Sequence, residues 1–96
     1  MKFHLEFRIF ETITSRDAVL ETRAALENRV KVLTKSGKLL DGGIYADWRG
    51  GYMIIEANTG AELLDCVGED LADRAHMDAH PILSFQEIGE YFAKHG

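Results

Sequence analysis

Proline and cysteine are almost missing from this chain of 96 residues, which has one of each, Pro81 and Cys66. A single cysteine excludes an internal disulfide and fits a reducing compartment. No apolar run approaches the roughly 18 residues that a membrane span requires. The opening stretch Met1–Arg8 alternates apolar and charged residues, so it lacks the unbroken apolar segment of a signal peptide. A cytoplasmic protein is the expectation. Basic residues are also in short supply, with 11 Lys and Arg against 16 Asp and Glu, a formal charge of −5. Without a basic face to displace counterions, the chain does not read as a non-specific nucleic-acid binder. The same balance argues against docking on an anionic membrane. Repeats, low-complexity segments and Pro/Gly-rich linkers are absent, and Gly42-Gly43 and Gly50-Gly51 lack phosphate-loop spacing.

What remains is one domain, residues 1–96, with an ordinary apolar share of 46%. Residues 2–10 alternate strictly, with Phe3, Leu5, Phe7 and Ile9 on one side and Lys2, His4, Glu6 and Arg8 on the other, which predicts a strand. A long helix is predicted over 15–36, capped by Thr14 or Ser15 and closed at Gly37, with Val19, Leu26, Val30 and Leu33 on its apolar stripe and Arg23 flanking it. Residues 38–48 read as a strand bulged near Gly42-Gly43, Arg49-Gly50-Gly51 as a tight turn, and 52–57 as a central strand apolar on both sides. Thr59-Gly60-Ala61-Glu62 is a capping box that opens a helix running to about Asp73. Residues 75–83 complete the strands, with Met77, Ala79 and Leu83 expected toward the helices. Ser84-Phe85-Gln86-Glu87 is a second capping box, opening a short helix over about 84–94.

The order strand, helix, strand, strand, helix, strand is the ferredoxin-like α+β arrangement, an antiparallel four-stranded sheet in the order fourth, first, third, second. Both helices cover one face. Met53, Ile55 and their neighbours make a fully wetted second face an unfavourable arrangement, so that face is expected to pair with a second copy as a dimeric α+β barrel.

The opening Met1-Lys2-Phe3-His4, the helix end Leu33-Thr34-Lys35-Ser36-Gly37-Lys38, the segment Ala61-Glu62-Leu63-Leu64-Asp65 and Met77-Asp78 together resemble the muconolactone isomerase-like branch of the dimeric α+β barrel proteins. The resemblance covers nearly the whole chain in order and length. It implies a homodimer or larger homo-oligomer acting on a small molecule without metal or organic cofactor. The reaction would move a proton or double bond in a lactone, enone or polyketide-like acid. Relatives of this fold include cofactor-free aromatic monooxygenases and cyclases and proteins without known chemistry, so the fold alone does not choose the reaction, and a non-catalytic ligand-binding or assembly module is the further alternative.

The residues themselves suggest where chemistry would sit. His4, Glu6 and Arg8 share a face of the first strand, and His76, Asp78 and His80 share a face of its neighbour, the fourth. Opposed residues on adjacent strands lie about 5 Å apart, so these six side chains are expected to converge on the barrel side. An imidazole takes and returns a proton near neutral pH, a carboxylate such as Glu6 or Asp78 orients it, and Arg8 suits a substrate carboxylate. The competing expectation is a solvated or inter-subunit ion-pair face. Tyr45 and Trp48 offer an enolate-stabilising hydroxyl and a pocket wall, or a hairpin aromatic packed on a partner. Glu56 reads as a base raised by burial or as a carboxylate paired with an arginine, and Cys66 as a small core residue. His76 and His80 stand four residues apart on a regular strand, about 13 Å, too far to share one zinc ion at ~2.0–2.1 Å, so no metal is expected.

Overall fold

The computed structural model describes residues 1–95. Strand β1 spans Lys2–Ile9, helix α1 Arg16–Lys35, strand β2 Leu39–Ile44 and strand β3 Gly50–Glu56. Helices α2 (Gly60–Val67) and α3 (Glu69–Ala72) follow, then strand β4 (Ala75–Ile82) and helix α4 (Phe85–His95). The sheet is antiparallel in the order β2-β3-β1-β4, so the chain has the ferredoxin-like α+β fold.

Local chemistry sets the helix ends. The Ser15 hydroxyl accepts from the Ala18 amide at 3.2 Å to open α1. At its other end Lys38 N–H donates to Leu33 O at 3.0 Å and Gly37 takes φ +75°, the left-handed closure that glycine adopts without penalty. Thr59 Oγ1 accepts from Glu62 N–H, and Glu62 in return accepts from the Asn58 amide, one residue earlier than a strict capping box would have it. Ser84 and Glu87 make the complete reciprocal pair at 3.0 and 3.1 Å.

Four boundaries differ from the sequence expectation. The helix expected to run from residue 59 to about Asp73 breaks at Gly68, whose φ of +75° and ψ of 148° end α2 and start α3. The bulge falls between Leu39 and Asp41, and Gly42 and Gly43 stay in register opposite Met53 and Tyr52. Gly50-Gly51 opens β3 and is not a turn. The turn is residues 45–49, closed by Trp48 N–H to Tyr45 O at 2.9 Å, with Tyr45 N–H donating to Gly50 O. Glycine is needed at 51 because strands crowd there: a Cβ would sit 2.2 Å from Gly43 O and 2.9 Å from Phe7 Cζ. Finally, Leu83 lies past the end of β4 and is exposed; Ala79 does stand on the helix side, opposite Leu5, though exposed there.

The core lies between the sheet and the helices. Phe3, Leu5 and Phe7 of β1, Met53 and Ile55 of β3, Leu33 of α1, Leu63, Cys66 and Val67 of α2 and Leu71 of α3 form one buried cluster. Burial pushes the Cys66 thiol above its ordinary pKa, which keeps it an inert core group. Met53 and Ile55 thus face the helices, against their expected role on the uncovered face. The outer face of β3 carries Tyr52 and Ile54 instead, both half-buried.

Candidate functional site

Two separate places in this fold hold the residues to which sequence reasoning assigns chemistry. The register puts His4 opposite His80, Glu6 opposite Asp78 and Arg8 opposite His76 across the β1–β4 ladder. All six stand on the outer sheet face, as the alternation implies. Their partners are mostly local. The Tyr45 hydroxyl donates to Glu6 Oε2 at 2.5 Å, and that bond, then burial, raises the Tyr45 pKa. Tyr45 is therefore held as a neutral donor. Arg8 pairs with Asp47 at 3.0 Å, and Asp47 is held below the usual carboxylate range first by the Arg49 amide and then by Arg8. The His4 ring stacks on Tyr52 with centroids 5.7 Å apart.

His80 Nε2 lies 3.2 Å from Asp78 Oδ1, but the two side chains are 65% and 70% exposed. His76 sits edge-on to Phe10 and 3.4 Å from Glu11, again in the open. Glu56 takes neither role expected of it: it is exposed and pairs with the Met1 amino group at 3.0 Å, not with an arginine. Among the described residues no group of three or more His, Cys, Asp or Glu side chains stands close enough to hold a metal ion. In a single chain the outer-face cluster is a row of local polar and stacking contacts on an open surface.

The concavity is on the other side of the sheet. A cavity of about 190 Å³ opens beneath α1, walled by Phe7 and Ile9 of β1, Ile13, Val19 and Leu26 of α1 and its approach, and Ile44 of β2. Trp48, Arg49, Arg23 and Glu27 complete it. Of the predicted site residues only Trp48 belongs here. An apolar groove, sharing Phe7, Leu26 and Ile44 with the cavity, continues between α1 and β2 past Val30, Leu39 and Leu40.

The sequence explains how the cavity forms. Val19, Leu26 and Val30 recur on the helical stripe, yet Leu33 is the member of that stripe that reaches the fully buried core. Thr22 and Ala25 are the other buried positions of α1, and the Thr22 hydroxyl is satisfied by Ala18 O at 2.7 Å. Val19 and Leu26 are half-buried, and they line space instead of filling it. Arg49 holds the roof by donating to Ile13 O at 3.1 Å and Phe10 O at 2.8 Å.

Trp48 adopts φ +63°, an outlier for a bulky residue that costs about 1–3 kcal/mol and that clusters at functional sites. The turn thereby places an indole, 72% exposed, at the cavity mouth under the Arg23 guanidinium, 5.8 Å from the ring centroid. Among the described residues Arg23 makes no hydrogen bond or salt bridge, so its donors are free. Sequence reasoning named Arg23 only as a flank of the helix stripe and missed Glu27 and Ile44.

No family model matches the chain, and no curated protein matches it. The described helices include none long and apolar enough to cross a membrane.

Proposed function

We propose that this chain is the subunit of a two-copy α+β barrel that takes a single-ring organic acid into the cavity beneath α1, a lactone, enone or polyketide-like acid of the kind muconolactone isomerase-like proteins handle. The cavity carries the reading. Its size is close to the ~150 Å³ that holds one benzene ring, so one ring with small substituents fits. Apolar walls supply the affinity. Arg23, free at the mouth, is the group that would take the acid's carboxylate through its paired donors. Glu27 is the single carboxylate among the lining residues and is the group that would move a proton in an isomerisation. No metal or organic cofactor enters this reading.

A second reading keeps the chemistry on the outer face, and the register favours it. If two copies pair through these faces, His4, His80, Glu6, Asp78, Arg8 and His76 would become enclosed between the sheets, where an imidazole and a carboxylate suit acid–base work. Tyr45 would serve it as a neutral donor toward Glu6.

The cavity reading is tested with benzoate as the probe. Trp48 is the only tryptophan, so covering its indole should shift its emission to the blue on titration. Val19→Phe fills the cavity from a half-buried position and should weaken benzoate at least about tenfold, with the melting temperature within a few degrees of the wild type. Unchanged affinity in Val19→Phe would exclude the cavity as the site.

A further inference from the structure

Among the described residues α4 packs against no other helix or strand of its own chain. It is nonetheless a well-capped helix with a strong apolar stripe: Phe85 is 97% exposed, Tyr91 and Phe92 are exposed, and Ile88 lies between them. A helix of 11 residues without tertiary contacts is marginal in water, so this stripe needs a cover. The stripe cannot reach the apolar groove between α1 and β2 within the same chain. β4 and β2 are the two opposite edges of the sheet, α3 and α1 occupy the helix side between them, and only Leu83 and Ser84 connect β4 to α4, about 7 Å of chain.

We propose that α4 crosses to a second copy and lies in that copy's groove along Leu26, Val30, Leu40 and Ile44, so that each cavity beneath α1 is closed by the tail helix of the other chain. The proposal rests on the two-copy barrel above, because two sheets packed face to face about a two-fold axis parallel to their strands bring β4 of one copy to the edge where β2 of the other runs. The areas agree with it. A compact monomer of 10.8 kDa exposes about 5,500 Å², whereas this chain exposes 6653 Å². The surplus of about 1,100 Å² exceeds the ~800 Å² that each partner buries in a standard interface. The radius of gyration, 15.3 Å against about 12.5 Å for a compact chain of this length, shows the same extension. A lipid surface is the poorer cover, since α4 carries Glu87 and Glu90 against Lys94 and has no basic face.

The test is a cross-link between two single-cysteine chains, Phe92→Cys and Leu40→Cys, each made with Cys66→Ala. Mixed and mildly oxidised, they should give a band of twice the 10.8 kDa chain that is several-fold stronger than either variant gives alone. No enrichment in the mixture overturns the proposal. Sedimentation of full-length Phe92→Asp separates it from the barrel reading. A dimer at least tenfold weaker than wild type supports the crossing helix. A Phe92→Asp dimer as tight as wild type overturns it while the barrel stands. A wild-type chain that is monomeric at micromolar concentration overturns both. Full-length chain binding to phosphatidylcholine–phosphatidylglycerol vesicles, with Phe92→Asp losing that binding and keeping its dimer, would assign α4 to a membrane and overturn the proposal.

Discussion

Phe7→Ala is expected to cost the fold about 3–5 kcal/mol, the range for removing a buried phenylalanine ring. Phe7 is 1% exposed and belongs to the core cluster with Leu5, Met53 and Leu33. Its ring also walls both the cavity and the groove, so the residues around it already border empty space and cannot all close over the gap. That favours the upper part of the range. A domain of 96 residues has about 5–14 kcal/mol of stability in total, so this one substitution removes a large share of it. With a urea slope of about 1–3 kcal/mol per molar, the unfolding midpoint should fall by roughly 2 M. A shift below about 0.5 M would show that Phe7 is not central to the core.

Gly51→Ala should be the most damaging single-methyl change, about 3 kcal/mol, at the top of the usual range for overpacking. The new Cβ would meet Gly43 O at 2.2 Å and the Phe7 ring at 2.9 Å. One obstacle is the backbone of a paired strand and the other is a buried ring, so neither yields cheaply. Gly89→Ala makes a sharp contrast. Nothing stands within 4 Å of that position inside α4, and the helix gains up to about 1 kcal/mol of propensity there. Thermal unfolding of the two variants should therefore move in opposite directions. If Gly51→Ala melts with the wild type, the close approach of β2 and β3 at Gly51 is wrong.

Much of this architecture is written in short-range chemistry. The alternation of β1, the Ser15, Thr59 and Ser84 caps and the left-handed Gly37 are local signals, and the structure has each of them. Alternation also suffices to put His4, Glu6 and Arg8 on one face with His76, Asp78 and His80, since the ladder between β1 and β4 carries them opposite one another. What local signals do not carry is the distance between layers. Gly50 and Gly51 look like a turn because glycine in sequence does not distinguish a positive φ from a tight strand crossing. Val19, Leu26 and Val30 look like core for a related reason. Periodicity says which side of α1 faces the sheet, and says nothing of whether the helix touches it along its whole length. Trp48 is the same lesson on one residue: its left-handed backbone, set by the turn around it, turns the indole to the cavity side while Tyr45 and Asp47 reach the outer face. Met53 and Ile55 reveal a matching error, because a strand apolar on most positions does not announce which face its largest side chains take.

The central claim is that a small ring acid enters beneath α1 and not on the outer sheet face. Titrating isotope-labelled protein with benzoate while following the backbone amide resonances tests it most directly. The cavity account predicts saturable shifts at Phe7, Ile9, Leu26, Ile44, Trp48 and Gly50, with His4, Glu6, Asp78 and His80 left in place. Shifts confined to those outer-face residues, with the amides beneath α1 unmoved, would contradict it.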